Sequence, residues 1–259
     1  MDPMMSDMMQ SLFRWTHVVV GVLWIGLLYF FNWVNGPFAA TLDADTKQKA
    51  LPELLPRALY FFRWGAAFTW ITGLLLLGLV FYMGRQMVEG GDPDANRSAM
   101  MVGLGVMFVG AALYDVMWKA LQDKEEMAVG ISFVALCGIM YYLAEIAGFS
   151  NRALYIHIGA MFGTAMAMNV WMRIWPAQRK IITAIKAGEK PDGAWGAIAG
   201  LRSKHNTYMS IPLIFMMLNA HNVAFFEHGW MGLAGAVAIG WAICFWVYKK
   251  SKTAVCAEY

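Results

Sequence analysis

The sequence predicts an all-α fold, a polytopic bundle of seven transmembrane helices forming a single integral membrane domain over residues 1–259. The first observation behind this prediction is low charge: 14% of the residues are Asp, Glu, Lys or Arg, whereas soluble domains carry about 25%. The second is a hydrophobic content of 59%, concentrated in runs of about 20 residues that can each cross a bilayer. The third is the position of the basic residues, which lie mainly between these runs.

Seven apolar runs define the predicted spans. They cover approximately residues 12–34, 59–83, 100–118, 128–148, 153–175, 207–227 and 230–248. The first run is too long for the apolar region of a signal peptide and no convincing cleavage site follows it, so we expect it to be retained. Residues 176–206 are predicted to form an amphipathic cytoplasmic loop, with a short surface helix at "AQRKIITAIKAG" (177–188). The proline-containing first loop is expected to hold another short helix.

Positive charge in the loops predicts the orientation. Lys and Arg are concentrated in the first loop, in the loop between spans five and six, and after span seven. These segments share one face of a seven-span bundle, and cytoplasmic loops carry this excess of positive charge. We therefore expect an outer N-terminus and a cytoplasmic C-terminus. The net charge of +3 is small, so binding to nucleic acid is not expected.

Three histidines lie at a similar depth on three predicted spans. His17, His157 and His221 each fall roughly 6–10 Å below the outer surface, from the rise of 1.5 Å per helical residue. Neutral imidazole binds haem iron, copper and zinc, and a b-type haem needs only two axial histidines. We predict haem b on two of the three, with a copper or zinc site or purely structural histidines as alternatives. Covalent c-type haem is not expected, because no CxxCH motif is present.

His205 belongs to a different predicted site. It precedes His221 by roughly 24 Å along a helix, so the two histidines cannot share a metal. His205, Asn206 and Tyr208 lie at the predicted cytoplasmic edge, and Arg63 at the start of span two lies near the same level. This set predicts either an interfacial anchor or a polar substrate pocket for an anionic or heterocyclic small molecule.

Two carboxylates lie within or near the ends of predicted spans. Glu145 is near the outer end of span four, and Asp115 is towards the end of span three. Either could hydrogen-bond a ligating histidine or relay protons. The alternative for Glu145 is an ordinary acid at the membrane interface.

Three stretches resemble a known family. "RWTHVVVGVLWIGLLYFFNWVN" (14–35), "FFRWGAAFTWITGLLLL" (61–77) and "SKHNTYMSIPLIFMMLNAH" (203–221) are similar to the N-terminal membrane domain of bacterial cytochrome-c-linked urate oxidase (urate hydroxylase). His17, His205 and His221 fall in these blocks, whereas His157 rests on its depth alone. The resemblance implies a multi-pass protein of the bacterial inner membrane that oxidises urate to 5-hydroxyisourate and passes electrons to a cytochrome c.

Full-length members of that family carry an eighth span and a C-terminal cytochrome c domain, neither of which is expected from this sequence. The expected partner is therefore a separate cytochrome c or another subunit of a membrane complex, besides the lipid bilayer. The leading hypothesis is a redox subunit with haem b and a small-molecule substrate. The alternatives are a non-redox anchor or assembly subunit and a copper- or zinc-binding membrane protein.

Overall fold

The computed structural model describes residues 2–253, apart from the side chains of Val223 and Phe226. Every regular element in this range is helical, which confirms the predicted all-α class for the described residues. The α-helices are α1 (Pro3–Tyr29), α2 (Gly36–Thr41), α3 (Ala44–Leu76), α4 (Pro93–Ala120), α5 (Glu125–Tyr141), α6 (Asn151–Asn169), α7 (Trp175–Lys186), α8 (Gly193–Asn219), α9 (Val223–Phe226) and α10 (Gly229–Thr253).

Four of these helices continue directly into π-helical segments. The segments are Phe30–Asn35, Leu77–Tyr82, Tyr142–Ile146 and Val170–Ile174, which follow α1, α3, α5 and α6. The π-helix is rare, well under 1% of residues in globular proteins, and it frequently marks functional positions. These four segments are therefore candidate positions for functional residues.

Among the described residues, six helical segments have the length and composition to cross a membrane. They are Pro3–Thr41, Ala44–Tyr82, Pro93–Ala120, Glu125–Ile146, Asn151–Lys186 and Gly229–Thr253. A multi-pass membrane protein is therefore supported. The predicted span 207–227 falls on α8, which is not among the six and carries Arg202, Lys204, His205 and Asn206 in its middle. The count of seven spans and the orientation remain predictions.

Helix α3 begins well before the predicted span 59–83. Asp43 caps it, since its carboxylate accepts hydrogen bonds from the backbone N–H of Thr46 at 2.9 Å and from the Thr46 hydroxyl at 2.7 Å. Pro52 and Pro56 lie inside the helix. The first loop, in which one short helix was expected, thus contains the short helix α2 and the first half of α3.

The predicted cytoplasmic loop 176–206 is mostly helical. Its expected surface helix corresponds to α7, whose buried face includes Ala177, Ile182 and Ala184. Helix α8 begins at Gly193, so the second half of the predicted loop is the start of a long helix. The predicted span missed this extension because the polar and basic stretch 202–206 interrupts the apolar residues of the helix.

Helix α8 also ends earlier than predicted, at Asn219 rather than near residue 227. The Asn219 side chain donates to the carbonyl of Phe215 at 3.0 Å, and the Asn222 side chain accepts from the N–H of Ala224 at 3.2 Å. Asparagine competes in this way with continuing helical hydrogen bonds. His221 consequently lies in the turn after α8 and not inside a helix.

The chain divides into two compact units, which are described separately. The first unit comprises Met1–Arg14, Thr72–Ala165 and Ile211–Gly240, and the second comprises Trp15–Ile71, Met166–Ser210 and Trp241–Tyr259. Small residues permit close packing within each unit. In the first, a Cβ at Gly240 would lie 2.9 Å from Cδ of Pro212, and in the second, a Cβ at Gly65 would lie 3.2 Å from Cβ of Trp24.

Candidate functional site

A buried polar cluster in the second unit is the strongest candidate for a functional site. Its α8 members include Arg202, His205, Asn206, Thr207 and Ser210, each less than 9% exposed. Polar and charged side chains at such positions in a membrane protein are costly and usually functional. We call the following residues the polar cluster: Tyr29, Asn32, Trp33, Asn169, Arg202, Ser203, His205, Asn206, Thr207, Tyr208, Ser210 and Tyr248.

Asn206 joins α8 to α6. Its side-chain oxygen accepts from Nδ2 of Asn169 at 2.8 Å, and its own Nδ2 donates to the carbonyl of Met166 at 3.0 Å. Both asparagines are 2% exposed or less. A buried amide without hydrogen-bond partners destabilises the fold. The rotation of α8 that keeps these two bonds is therefore favoured over other rotations of α8 against α6. That rotation also determines where His205 and Arg202 lie.

Asn32 joins α8 to α10 from within the first π-helical segment. Its Nδ2 donates to the carbonyl of Leu28 at 2.9 Å and to the Ser203 hydroxyl at 2.7 Å, while its oxygen accepts from the Tyr248 hydroxyl at 2.9 Å. One amide therefore connects three segments that are distant in the sequence. Removing it would leave two hydroxyl groups of the cluster without this partner.

Two stacked aromatic pairs form part of the polar cluster. The Tyr29 and Trp33 rings lie 4.1 Å apart and 16° from parallel, and the Tyr208 and Tyr248 rings lie 5.8 Å apart and 13° from parallel. Tyr29 accepts a hydrogen bond from Ser210 at 3.0 Å. Nε1 of Trp33 is buried and finds no hydrogen-bond partner among the described residues. Flat rings with a spare N–H donor suit a planar heterocycle that carries carbonyl groups.

Arg202 supplies the charge of the cluster. Its side chain is 1% exposed, although a guanidinium stays protonated at any physiological pH. Its spacing from His205 and Asn206, three and four residues along α8, places all three on one helical face. A buried cation on this face favours an anionic ligand.

In the sequence, Arg202 is one of several basic residues of the predicted loop 176–206 and was not predicted to belong to a site. The spacing from His205 and Asn206 was a signal that could have identified it. Asn32 offered no comparable signal, since its role depends on a π-helical segment and on contacts with distant parts of the chain.

Arg63, predicted to join His205, Asn206 and Tyr208, has other neighbours. Its Cζ lies 4.0 Å from the centre of the Trp175 ring, 5.7 Å from that of Tyr60 and 6.0 Å from that of Trp171. Among the described residues, its ring contacts are these three aromatic side chains. The structure thus places Arg63 in an aromatic cage, while the other three predicted residues belong to the polar cluster.

Comparison with known proteins identifies the family. Residues 41–258 match the family model described as "Urate oxidase N-terminal". The chain belongs to this family. The matched region includes the α6, α8 and α10 residues of the polar cluster, whereas His17 and Asn32 precede it. No curated protein and no solved structure gives a significant match.

In this urate oxidase N-terminal family member, His157 is fully buried in the first unit. Nδ1 donates to the carbonyl of Ala153 at 2.7 Å, since a carbonyl oxygen can only accept. Nε2 of the neutral ring therefore accepts from the Tyr82 hydroxyl, 3.2 Å away. The rings of Phe81 and Phe149 lie 6.1 and 5.2 Å from the imidazole.

These contacts determine whether His157 has room to bind the iron of the predicted haem. A Cβ at Gly103 would lie 2.8 Å from Nε2 of His157, so the helix backbone and Tyr82 occupy the side on which a macrocycle would have to sit. His157 does not fit an axial haem ligand in this arrangement. Among the described residues, no group of three or more His, Cys, Asp or Glu side chains is arranged to hold a metal ion.

Replacing Gly103 with alanine should destabilise the first unit. The new methyl group would lie 2.6 Å from Cδ2 of His157, and the ring cannot swing away without losing both of its hydrogen bonds. We expect a loss of about 1–3 kcal/mol, measured by thermal unfolding in detergent. Gly105→Ala on the same helix is the matched control, since its Cβ would meet nothing within 4 Å. Equal melting temperatures for the two variants would contradict the close contact at His157.

The other two histidines have different surroundings. His221, exposed in the turn after α8, accepts at Nδ1 from the Arg152 guanidinium at 3.1 Å. Partial burial, with the positive charges of Arg152 and Arg14, lowers the pKa of His221 from its ordinary value, so the ring is neutral at pH 7. His17, in the second unit, is half-buried and hydrogen-bonds the backbone of Thr69. Haem, copper or zinc on His17 or His221 stays a prediction.

The two predicted acids belong to the first unit. Asp115 forms an ion pair with Lys119, one helical turn later, at 3.1 Å. Glu145 is exposed, within the third π-helical segment. Their suggested roles, as a hydrogen-bond partner of a ligating histidine or as a proton relay, stay predictions.

Proposed function

We propose that this chain is the membrane part of a urate-oxidising system and that the polar cluster binds the urate anion. The observation that carries this proposal is the burial of Arg202, His205 and Asn206 on one face of α8, inside the region matched to the urate oxidase N-terminal family. Urate is a planar heterocyclic anion with carbonyl acceptors and N–H donors. It requires a cation, hydrogen-bonding groups and flat walls, and the polar cluster supplies each of these.

Each group in the cluster has a role in this proposal. The Arg202 guanidinium balances the charge of urate and donates to its oxygens in a planar fork. The stacked pairs Tyr29–Trp33 and Tyr208–Tyr248 offer flat surfaces for the purine rings. Nε1 of Trp33, which has no partner among the described residues, would donate to a urate carbonyl.

The proposed reaction adds the oxygen of one water molecule to C5 of urate. It removes two electrons and releases two protons, giving 5-hydroxyisourate. His205, a neutral imidazole at this buried position, would accept a proton from the attacking water, as imidazoles do in general base catalysis. The electrons would pass to a haem protein, for which a separate cytochrome c is the proposed acceptor. The predicted haem b would supply one-electron relay chemistry if this chain binds it.

The experiment that tests this function follows electrons from urate. Purified protein in detergent, with added cytochrome c, should reduce the cytochrome only when urate is present. His205→Gln should lower this rate by about 10²-fold or more, a typical loss for a proton-transfer residue. His228→Gln, in an exposed position, is the matched control and should keep the full rate. Urate-independent reduction, or a full rate in His205→Gln, would count against the proposal.

A spectrum of the same preparation tests the predicted cofactor separately. A reduced-minus-oxidised difference with a b-type α band, lost in His17→Ala, would support haem b on that histidine. Protein made with ample haem and lacking Soret absorbance would rule out the haem part while leaving urate binding to be measured directly.

A further inference from the structure

The aromatic cage around Arg63 has no role in the proposed urate site. We call Arg63, Tyr60, Trp171 and Trp175 the Arg63 cage. The Cζ atom of Arg63 lies over the Trp175 ring at 4.0 Å from its centre, which is a close cation–π contact. Stacking of this kind uses the face of the guanidinium and leaves the N–H groups on its edge free to donate.

Two buried donors of the cage lack acceptors. Nε of Arg63 and Nε1 of Trp171 are both inaccessible to solvent, and neither has a hydrogen-bond partner among the described residues. The ion pairs among the described residues join Lys49 to Asp45, Arg57 to Glu53 and Lys119 to Asp115, so none of them involves Arg63. Buried donors are nearly always satisfied in folded proteins. A positive charge beside two unsatisfied N–H groups favours an anionic acceptor.

The surroundings of the cage favour a phosphate group. Trp175 is the first residue of α7, a helix with a buried apolar face and three exposed cations, Arg179, Lys180 and Lys186. Basic amphipathic helices of this kind lie at the membrane surface and attract anionic lipid headgroups. Tryptophan is itself enriched at the headgroup level. Arginine binds phosphate oxygens through the edge of its guanidinium.

We propose that the Arg63 cage binds a phosphate group and that its source is the phosphodiester of an anionic phospholipid. Arg63 Nε and Trp171 Nε1 donate to the phosphate oxygens, while Trp175 holds the guanidinium plane in place. The exposed cations of α7 add attraction for a second negative headgroup without contacting the bound phosphate. This site is independent of the polar cluster and of the proposed urate chemistry.

Native mass spectrometry of the purified full chain tests this site with two probes, phosphatidylglycerol and inorganic phosphate, and with the zwitterionic lipid phosphatidylcholine as a control. We expect wild-type protein to retain one phosphatidylglycerol about tenfold more strongly than Arg63→Gln does, in line with the loss of a charge-assisted hydrogen bond. Trp171→Phe keeps an aromatic ring at this position but removes the Nε1–H donor, and should weaken retention by about threefold to tenfold. It also keeps the test decisive if Arg63→Gln fails to fold. Arg179→Gln, an exposed position on α7, is the matched control and should weaken retention less than twofold.

The two probes separate the sources of phosphate. Retention of phosphatidylglycerol that depends on Arg63 and Trp171, with phosphatidylcholine bound no more tightly by wild type than by the variants, supports the lipid. Inorganic phosphate bound in the same Arg63-dependent way, with no preference for phosphatidylglycerol, would overturn the lipid source and leave a soluble phosphate as ligand. Equal binding of both probes by wild type, Arg63→Gln and Trp171→Phe would overturn the site.

Discussion

Arg202→Gln is expected to weaken urate binding by about 100-fold. Arg202 is the buried cation of the polar cluster, 1% exposed, and glutamine retains hydrogen-bonding ability without the charge. A charge-assisted hydrogen bond contributes about 1.5–3 kcal/mol, and each 1.4 kcal/mol corresponds to a factor of ten in affinity. Arg202→Lys keeps the charge but loses the planar fork, so its affinity should fall between those of wild type and Arg202→Gln.

Thermal unfolding with increasing urate measures this effect. A ligand that binds only the folded state raises the melting temperature in proportion to the logarithm of its concentration relative to Kd. Wild type should be stabilised by urate, and Arg202→Gln should need about 100-fold more urate for the same shift. Arg179→Gln removes an exposed arginine and is the matched control. A shift in Arg202→Gln equal to that of wild type would exclude Arg202 from the site.

Asn32→Leu should produce the largest loss of stability in the second unit. The substitution removes the partner of the Ser203 and Tyr248 hydroxyls and leaves both without this hydrogen bond in a partly buried setting. Each lost hydrogen bond at these partly buried positions costs about 1–2 kcal/mol, at the lower end of the range for a group left without its partner, so we expect about 2–4 kcal/mol in total. For a protein of this size that corresponds to a fall of roughly 5–15 °C in melting temperature.

A double variant separates this effect from a simple packing defect. Removing both partners of a hydrogen bond costs less than removing one, so Asn32→Leu with Tyr248→Phe should melt higher than Asn32→Leu alone. Asn219→Leu is the matched control, because the Asn219 amide donates to Phe215 one turn earlier in its own helix. Strictly additive losses in the double variant would contradict the Asn32–Tyr248 bond.

Composition and hydropathy were sufficient to predict the all-α class and most of the helices. The long apolar runs leave few alternatives to membrane helices, and six of the seven predicted spans coincide with segments able to cross a membrane. Hydropathy failed where charged and polar residues lie within a helix. It missed the start of α3, which Asp43 caps, and the start of α8 at Gly193.

The site was only partly predictable for a related reason. The His205-Asn206-Thr207-Tyr208 block was identified from its unusual polarity, and the structure buries His205, Asn206 and Thr207 within the polar cluster. His221 was predicted to lie at the same depth as His157 because the span was expected to continue as one helix to residue 227. The helix α8 ends at Asn219 instead. The contribution of Asn32 depends on a π-helical segment, for which no simple periodicity exists in sequence.

Equilibrium dialysis of radiolabelled urate against the purified chain tests the central claim most directly. If the polar cluster is a urate site, wild-type protein should bind urate saturably with one molecule per chain. Arg202→Gln should weaken this binding by about 100-fold and His205→Gln should weaken it to a smaller extent, whereas His228→Gln should keep it unchanged. Folded wild-type protein with no saturable urate binding, or binding that is unchanged in both cluster variants, would contradict the assignment of this site.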